Sequence, residues 1–99
     1  MKIKEIIPEY EATTGKRVSP FVARFAEQMD IVGQRFNIKG YEDAAQGKPV
    51  PSENVFQMWG KKLFEDDVTM AEALANLAQI YYMDGYEAGT KRGQTEVPA

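Results

Sequence analysis

The residue types best suited to catalysis are missing from this chain. Its 99 residues include neither histidine nor cysteine. The lack of cysteine excludes disulfides, thiolate nucleophiles and cysteine-based zinc or iron–sulfur sites. The lack of histidine removes the commonest general base and transition-metal ligand. Any chemistry would have to rest on carboxylates, lysines, tyrosines, hydroxyls or a hard metal ion.

The densest acidic run is Glu65-Asp66-Asp67. Several neighbouring carboxylates attract Ca²⁺ or Mg²⁺, but this run lacks the alternating oxygen ligands, the glycine and the final glutamate of an EF-hand loop. Asp84-Gly85 does not begin such a loop either. We interpret the acidic run as the loop before a helix, where negative charge favours the positive end of the helix dipole. The sequence therefore predicts no metal site.

Neither paired carboxylates nor an activated hydroxyl is indicated. Glu27 with Asp30, or Asp66 with Glu72, could approach one another, but these residues fall on predicted solvent-facing positions where nothing separates their pKa values. The hydroxyls that stand out are better explained as helix caps: Ser19, Ser52 and Thr69. We predict that the chain is not an enzyme and holds no cofactor. An enzyme that depends on carboxylates or a metal ion is the least favoured alternative.

The basic residues do not form the stripe expected of a nucleic-acid-binding protein. Twelve lysines and arginines face fifteen acidic residues, a net charge of −3, whereas nucleic-acid-binding domains usually carry a basic surplus. Arg24 and Arg35 lie near one edge of the same predicted helix, where they could contact a protein or the phosphate of a small ligand. Direct nucleic-acid binding is disfavoured, and a small-molecule-binding or nucleotide-sequestering oligomer is the alternative function.

Aromatic residues make up 11% of the chain and crowd the end of the last predicted helix. Tyr82 and Tyr86 lie four residues apart on a second, alanine-rich stripe that a small domain has difficulty burying. Tyrosine and tryptophan anchor protein interfaces well. Burial of both stripes in one core is the competing interpretation, for Trp59 as for the tyrosines. The predicted partner-binding residues are Trp59, Tyr82, Tyr86, Arg24 and Arg35.

Three amphipathic helices are expected to position these residues. Ser19-Pro20 combines a hydroxyl cap with a proline at the first helical position, and predicts a helix to Phe36. A second helix is predicted over residues 52–65, after Ser52. Thr69 and Glu72 fit a capping box, so a third helix is expected from Thr69 to about residues 82–86. The pattern predicts an all-α, small irregular three-helix bundle.

The remaining segments are predicted to be irregular. Pro8 interrupts a continuous helix, so residues 1–15 are expected to form an extended or short-helical arm. Residues 37–51 are expected to be a connector with one helical turn. The polar, glycine-bearing end beyond Gly85 is predicted to be a flexible tail. The predicted organisation is one helical domain over residues 1–86 and a tail over 87–99.

The chain has no run of 18 apolar residues and no segment that resembles a signal peptide, so we expect a cytoplasmic protein without membrane contact. Small size and a surplus of apolar helix surface favour a non-catalytic module that binds another protein. An inhibitor or adaptor of the phage or mobile-element type, for example in counter-defence against a host nucleic-acid-handling complex, is the expected form. A homodimer is a second partner arrangement that the surplus surface allows.

Overall fold

The computed structural model describes residues 3–95, with side chains to residue 92, and this part of the chain contains five helices and no strand. The all-α class is therefore confirmed, with five helices where three are predicted. The helices are α1 (Ile3–Thr14), α2 (Pro20–Gln28), α3 (Asp30–Ala45), α4 (Glu53–Leu63) and α5 (Val68–Thr95).

Helix α5 is the centre of the fold. Its 28 residues form a rod about 42 Å long, and it contacts each of the other four helices. The molecule is correspondingly elongated, with extents of 51 × 24 × 24 Å. Because neighbours surround α5, its apolar residues are buried on nearly every side. The largest are Leu74, Leu77, Ile80, Tyr81 and Tyr82.

Helices α3 and α5 run parallel and pack closely along a row of glycines, which we call the glycine seam: Gly33, Gly40, Gly85 and Gly89. Gly33 faces the ring of Tyr81, and the other three glycines face backbone atoms of the opposite helix. A Cβ atom at Gly85 would lie 1.8 Å from the carbonyl oxygen of Asn37, and one at Gly40 would lie 2.1 Å from that of Tyr82. No side chain fits at such distances, so this helix pair requires glycine at both positions.

The first helix signal of the sequence is confirmed, but the predicted helix is divided. The Ser19 hydroxyl accepts a hydrogen bond from the Val22 N–H at 3.2 Å, and Pro20 is the first residue of α2. Met29 then interrupts the helix with φ −104° and ψ 30°. Helix α3 begins at Asp30 and continues to Ala45, so most of the predicted connector is helical.

The amino-terminal segment was predicted to be an extended or short-helical arm, and residues 3–14 form one regular helix that Pro8 does not interrupt. Ile3, Ile6 and Tyr10 recur at helical spacing and are all buried, whereas Pro8 lies inside α1 on its exposed side. Proline in a helix interior removes one backbone hydrogen bond and costs about 3 kcal/mol. Burial of the apolar face against the bundle offsets that cost, because each fully buried large apolar side chain contributes roughly 2 kcal/mol.

The caps of α4 and α5 differ from the predicted ones. Ser52 occupies the position before α4, but its side chain makes no capping hydrogen bond. Helix α5 begins at Val68, and its first turn is capped by the Asp67 carboxylate, which accepts from the Met70 N–H at 3.0 Å. The capping box predicted at Thr69 is therefore not formed, because Asp67 caps the helix two residues earlier.

The carboxyl-terminal segment is helical well beyond the predicted end at Tyr86. Helix α5 continues to Thr95. Gly89 packs against Tyr41 of α3, and Arg92 donates a hydrogen bond to the Tyr41 hydroxyl and lies 5.6 Å from its ring centroid. Gly89 and Arg92 thus extend the contact between α5 and α3, and residues 96–99 of the predicted tail lie outside the described residues.

Candidate functional site

Three tyrosine hydroxyls of α5 donate hydrogen bonds to α3 or to the segment after it: those of Tyr81, Tyr82 and Tyr86. Tyr81 donates to the Asp30 carboxylate at 2.9 Å, and Tyr82 donates to the buried Asp43 carboxylate at 2.6 Å. Burial, followed by these hydrogen bonds, raises the pKa of both tyrosines above the ordinary value of 10.0. The hydroxyls therefore stay protonated and act as structural donors that lock α5 to α3.

Tyr82 belongs to the core of the chain. Its side chain is 0% exposed and packs edge-on against Phe56, with ring centroids 5.5 Å apart. The predicted interface role is corrected at this residue, because a partner could touch Tyr82 only after α3 or α4 had separated from α5. The continuation of α3 to Ala45 supplies the surface that covers it.

Trp59 and Tyr86, the other two predicted aromatic anchors, are half-buried. Trp59 stacks on Phe36 with ring centroids 5.5 Å apart and meets Phe56 edge-on at 5.2 Å. Tyr86 stacks on Tyr82 at 6.1 Å and donates to the carbonyl oxygen of Lys48 at 2.6 Å. Each ring is held by the fold while keeping an accessible edge.

Arg24 and Arg35 are exposed on α2 and α3, respectively. Neither lines the two largest grooves of the described residues. A phosphate ligand in either of these grooves would therefore not contact Arg24 or Arg35. Arg35 lies between two exposed isoleucines of α3, Ile31 and Ile38.

A concave surface lies between α1 and α5, and we call it the α1–α5 groove. Its volume is about 460 Å³, within the range of 300–1,000 Å³ typical of ligand sites. The floor is apolar and made by both helices, with Val50 and Tyr86 closing one side. The floor residues are Ile6, Tyr10, Ile80 and Met83.

The rim of the α1–α5 groove is predominantly acidic. Glu9, Asp84 and Glu87 line it together with one base, Lys91. Glu87 binds Lys91 at 3.0 Å, and this hydrogen bond, with the nearby carboxylates of Glu9 and Asp84, raises the pKa of the lysine. Asp84 accepts a hydrogen bond from Asn37 at 2.8 Å. The groove therefore carries a net negative potential that favours a basic ligand.

Sequence reasoning did not predict the groove, because α1 was expected to be an arm. The signal was present in the apolar spacing of Ile3, Ile6, Ile7 and Tyr10, which fits one helix face if Pro8 is tolerated on the other. The second wall could not be placed from sequence, since the pairing of α1 with the middle of α5 joins residues about 70 positions apart; Tyr10 donates to Gln79 at 3.3 Å.

No group of acidic side chains suited to a metal ion occurs among the described residues. None of the helices in that part of the chain has both the length and the apolar character needed to span a membrane. No protein-family model, curated protein or solved structure matches the chain significantly.

Proposed function

We infer that this chain is a non-catalytic protein-binding module that receives a segment of another protein in the α1–α5 groove. The observation that carries the proposal is a largely apolar groove between two helices that is open to the surface. Grooves of this kind bind the apolar face of an amphipathic helix in many complexes. Ile6 and Ile80 are buried beneath the groove, so its accessible apolar surface comes from the half-buried Met83 and Tyr86 and the exposed Val50.

The acidic rim indicates the chemistry of the bound segment. Glu9 is exposed and forms no ion pair among the described side chains, while Asp84 and Glu87 lie nearby. A segment with lysine or arginine on either side of its apolar residues would match both floor and rim. Complementary charge of this kind speeds association and selects between partners.

The same rim disfavours the alternative of a nucleotide ligand, because carboxylates repel phosphate and the predicted arginines lie elsewhere. The groove also offers no activated nucleophile: the Thr90 hydroxyl already donates to the carbonyl oxygen of Tyr86 at 2.9 Å. An inhibitor or adaptor acting in the cytoplasm on a host complex, with no catalytic step of its own, is part of the same proposal.

The test is charge reversal at one exposed position of α1 with a matched control on the same helix. Glu9→Lys changes the rim of the groove, whereas Glu5→Lys makes the same charge change at an exposed residue that does not line it. Tagged wild-type protein and both variants are used to capture partners from the native host, with quantitative mass spectrometry as the readout.

We expect one polypeptide to be enriched by wild type and Glu5→Lys and to fall at least about tenfold with Glu9→Lys, since close charge pairs at an interface contribute on the order of 1.5 kcal/mol or more. Its capture should also weaken as salt is raised. Equal capture by all three proteins, or capture of none, would overturn the proposal.

A further inference from the structure

The outward face of α3 carries exposed apolar side chains that nothing in the described chain covers. Ile31 is 77% exposed and Ile38 is 57% exposed. Arg35 and Glu42 are exposed on the same stripe, since positions 31, 35, 38 and 42 recur at helical spacing. The opposite face of α3 is the one that packs on α5 through the glycine seam. We call these four residues the α3 stripe.

The charges of the α3 stripe are unpaired and evenly placed. Arg35 lies three residues before Ile38 and Glu42 lies four residues after it. Neither forms an ion pair with another side chain within residues 3–92. Seven residues separate the two charges, so they stand about 10 Å apart along the helix axis, on either side of an exposed isoleucine.

This pattern is self-complementary under a two-fold axis. When two copies of α3 lie antiparallel with the axis beside Ile38, Arg35 of each copy faces Glu42 of the other. Both ion pairs form together because a two-fold interface repeats every contact. Ile38 then packs against Ile38 of the second copy, and Ile31 lies near Ala45, which is also exposed. A parallel arrangement would instead bring the two Arg35 side chains together.

We propose that a second copy of this chain docks on the α3 stripe, and that the protein forms an antiparallel two-fold dimer through Ile38, Arg35 and Glu42. The inference does not depend on the α1–α5 groove, because the α3 stripe contributes no residue to that groove. Helix α3 is about 24 Å long, and one face of it buries less area than the roughly 800 Å² per partner of a standard interface. We therefore expect the dimer to be weak and its population to depend on protein concentration.

The experiment is sedimentation equilibrium of the full chain over a wide concentration range. Arg35→Glu places glutamate opposite Glu42, and Glu42→Arg places arginine opposite Arg35, so each variant alone should dimerise at least about tenfold more weakly than wild type. An equimolar mixture of the two variants restores both attractive pairs in a heterodimer, and we expect its affinity to return to near the wild-type value.

Arg24→Glu is the matched control, because it makes the same charge change at an exposed residue outside the α3 stripe. Circular dichroism verifies that each variant is folded, which is expected because all three positions are exposed. A wild-type chain that stays monomeric at millimolar concentration would overturn the proposal. So would a dimer that Arg35→Glu leaves intact, or a mixture of the two charge variants that fails to recover.

Discussion

Helix α5 meets α3 and α1 in opposite ways. Along α3, the glycines have no side chains and the two backbones are in contact. A Cβ atom at Gly85 would lie only 1.8 Å from the carbonyl oxygen of Asn37. Along α1, Ile6 and Tyr10 keep the helices apart and a groove of about 460 Å³ remains between them. Small residues thus build the scaffold, while bulky ones leave room for a ligand beside it.

The largest effect is expected from filling the glycine seam. Gly85→Ala places a methyl group against the backbone of Asn37, which cannot move without separating α3 from α5. Overpacking of this kind typically costs 1–3 kcal/mol and sometimes more. We expect the free energy of unfolding to fall by about 3 kcal/mol in urea denaturation. The control Ala88→Gly, at an exposed position of α5, should cost about 1 kcal/mol.

A seam that tolerates alanine at position 85 would mean that the contact between α3 and α5 is looser than the structure shows. In that case the contrast between the closed and the grooved side of α5 would disappear. Hydrogen exchange of the amides in α3 and in α1 would then show similar protection, whereas we expect the α3 amides to exchange more slowly.

The second-largest effect is expected from alkaline pH, which should lower the free energy of unfolding by weakening the contact between α3 and α5. Burial and the hydrogen bonds to Asp30 and Asp43 raise the pKa of Tyr81 and Tyr82 above 10.0, so the folded chain keeps two protons that the unfolded chain loses. The contribution of these two tyrosines to the free energy of unfolding is fully present below pH 10 and is lost as the pH rises further. Unfolding measured at pH 9 and pH 11 should differ by about 2 kcal/mol. In the Tyr81→Phe and Tyr82→Phe double variant, the difference should shrink.

The two tyrosine hydroxyls should contribute unequally. Tyr82→Phe leaves the buried Asp43 carboxylate without its 2.6 Å donor, and among the described side chains the Lys39 ammonium, 3.7 Å away, is its one remaining partner. A loss of about 1–3 kcal/mol is expected for a buried charged group that loses its partner. Tyr81→Phe should cost about 1 kcal/mol, because exposed Asp30 is rehydrated. Equal losses in thermal denaturation would contradict the assignment of Asp43 to the core.

The smallest effect concerns the grooved side. Pro8 is exposed inside α1, so Pro8→Ala restores a helical hydrogen bond and should raise stability by about 1 kcal/mol after the loss of proline's restriction on the unfolded chain. Pro20→Ala is the control, since proline suits the first helical position and its removal should bring no gain. The prediction would be contradicted if Pro20→Ala raised the stability of the protein and Pro8→Ala left it unchanged.

Local signals predicted the parts of the fold that depend on neighbouring residues. Ser19-Pro20 starts a helix because the cap and the first turn are adjacent in sequence. Asp67 and Thr69 are both good caps two residues apart, so sequence could not decide between them. The prediction that Pro8 interrupts a continuous helix was wrong, because the local cost of proline is offset by burial of Ile6 and Tyr10 against a helix far along the chain.

The candidate surfaces depend on such distant pairings and were harder to predict. A Cβ atom at Gly60 would lie 2.2 Å from the carbonyl oxygen of Ala71, so a glycine inside a helix marks the close approach of another element without identifying that element. Burial of Tyr82 was one of two interpretations that the sequence left open, because deciding between them requires knowing that α3 extends past Gly40 and lies parallel to α5. Of the predicted partner-binding residues, Tyr86 borders the α1–α5 groove, and Arg35 lies on the α3 stripe.

The most direct test of the groove is site-specific photo-crosslinking from two adjacent positions of α1. Thr13 lines the groove and Ala12 does not, although both are exposed. A photoreactive residue at position 13 should crosslink one discrete host polypeptide, and the same residue at position 12 should not. Equal crosslinking from the two positions, or none from position 13, would contradict the assignment of the α1–α5 groove as the binding site.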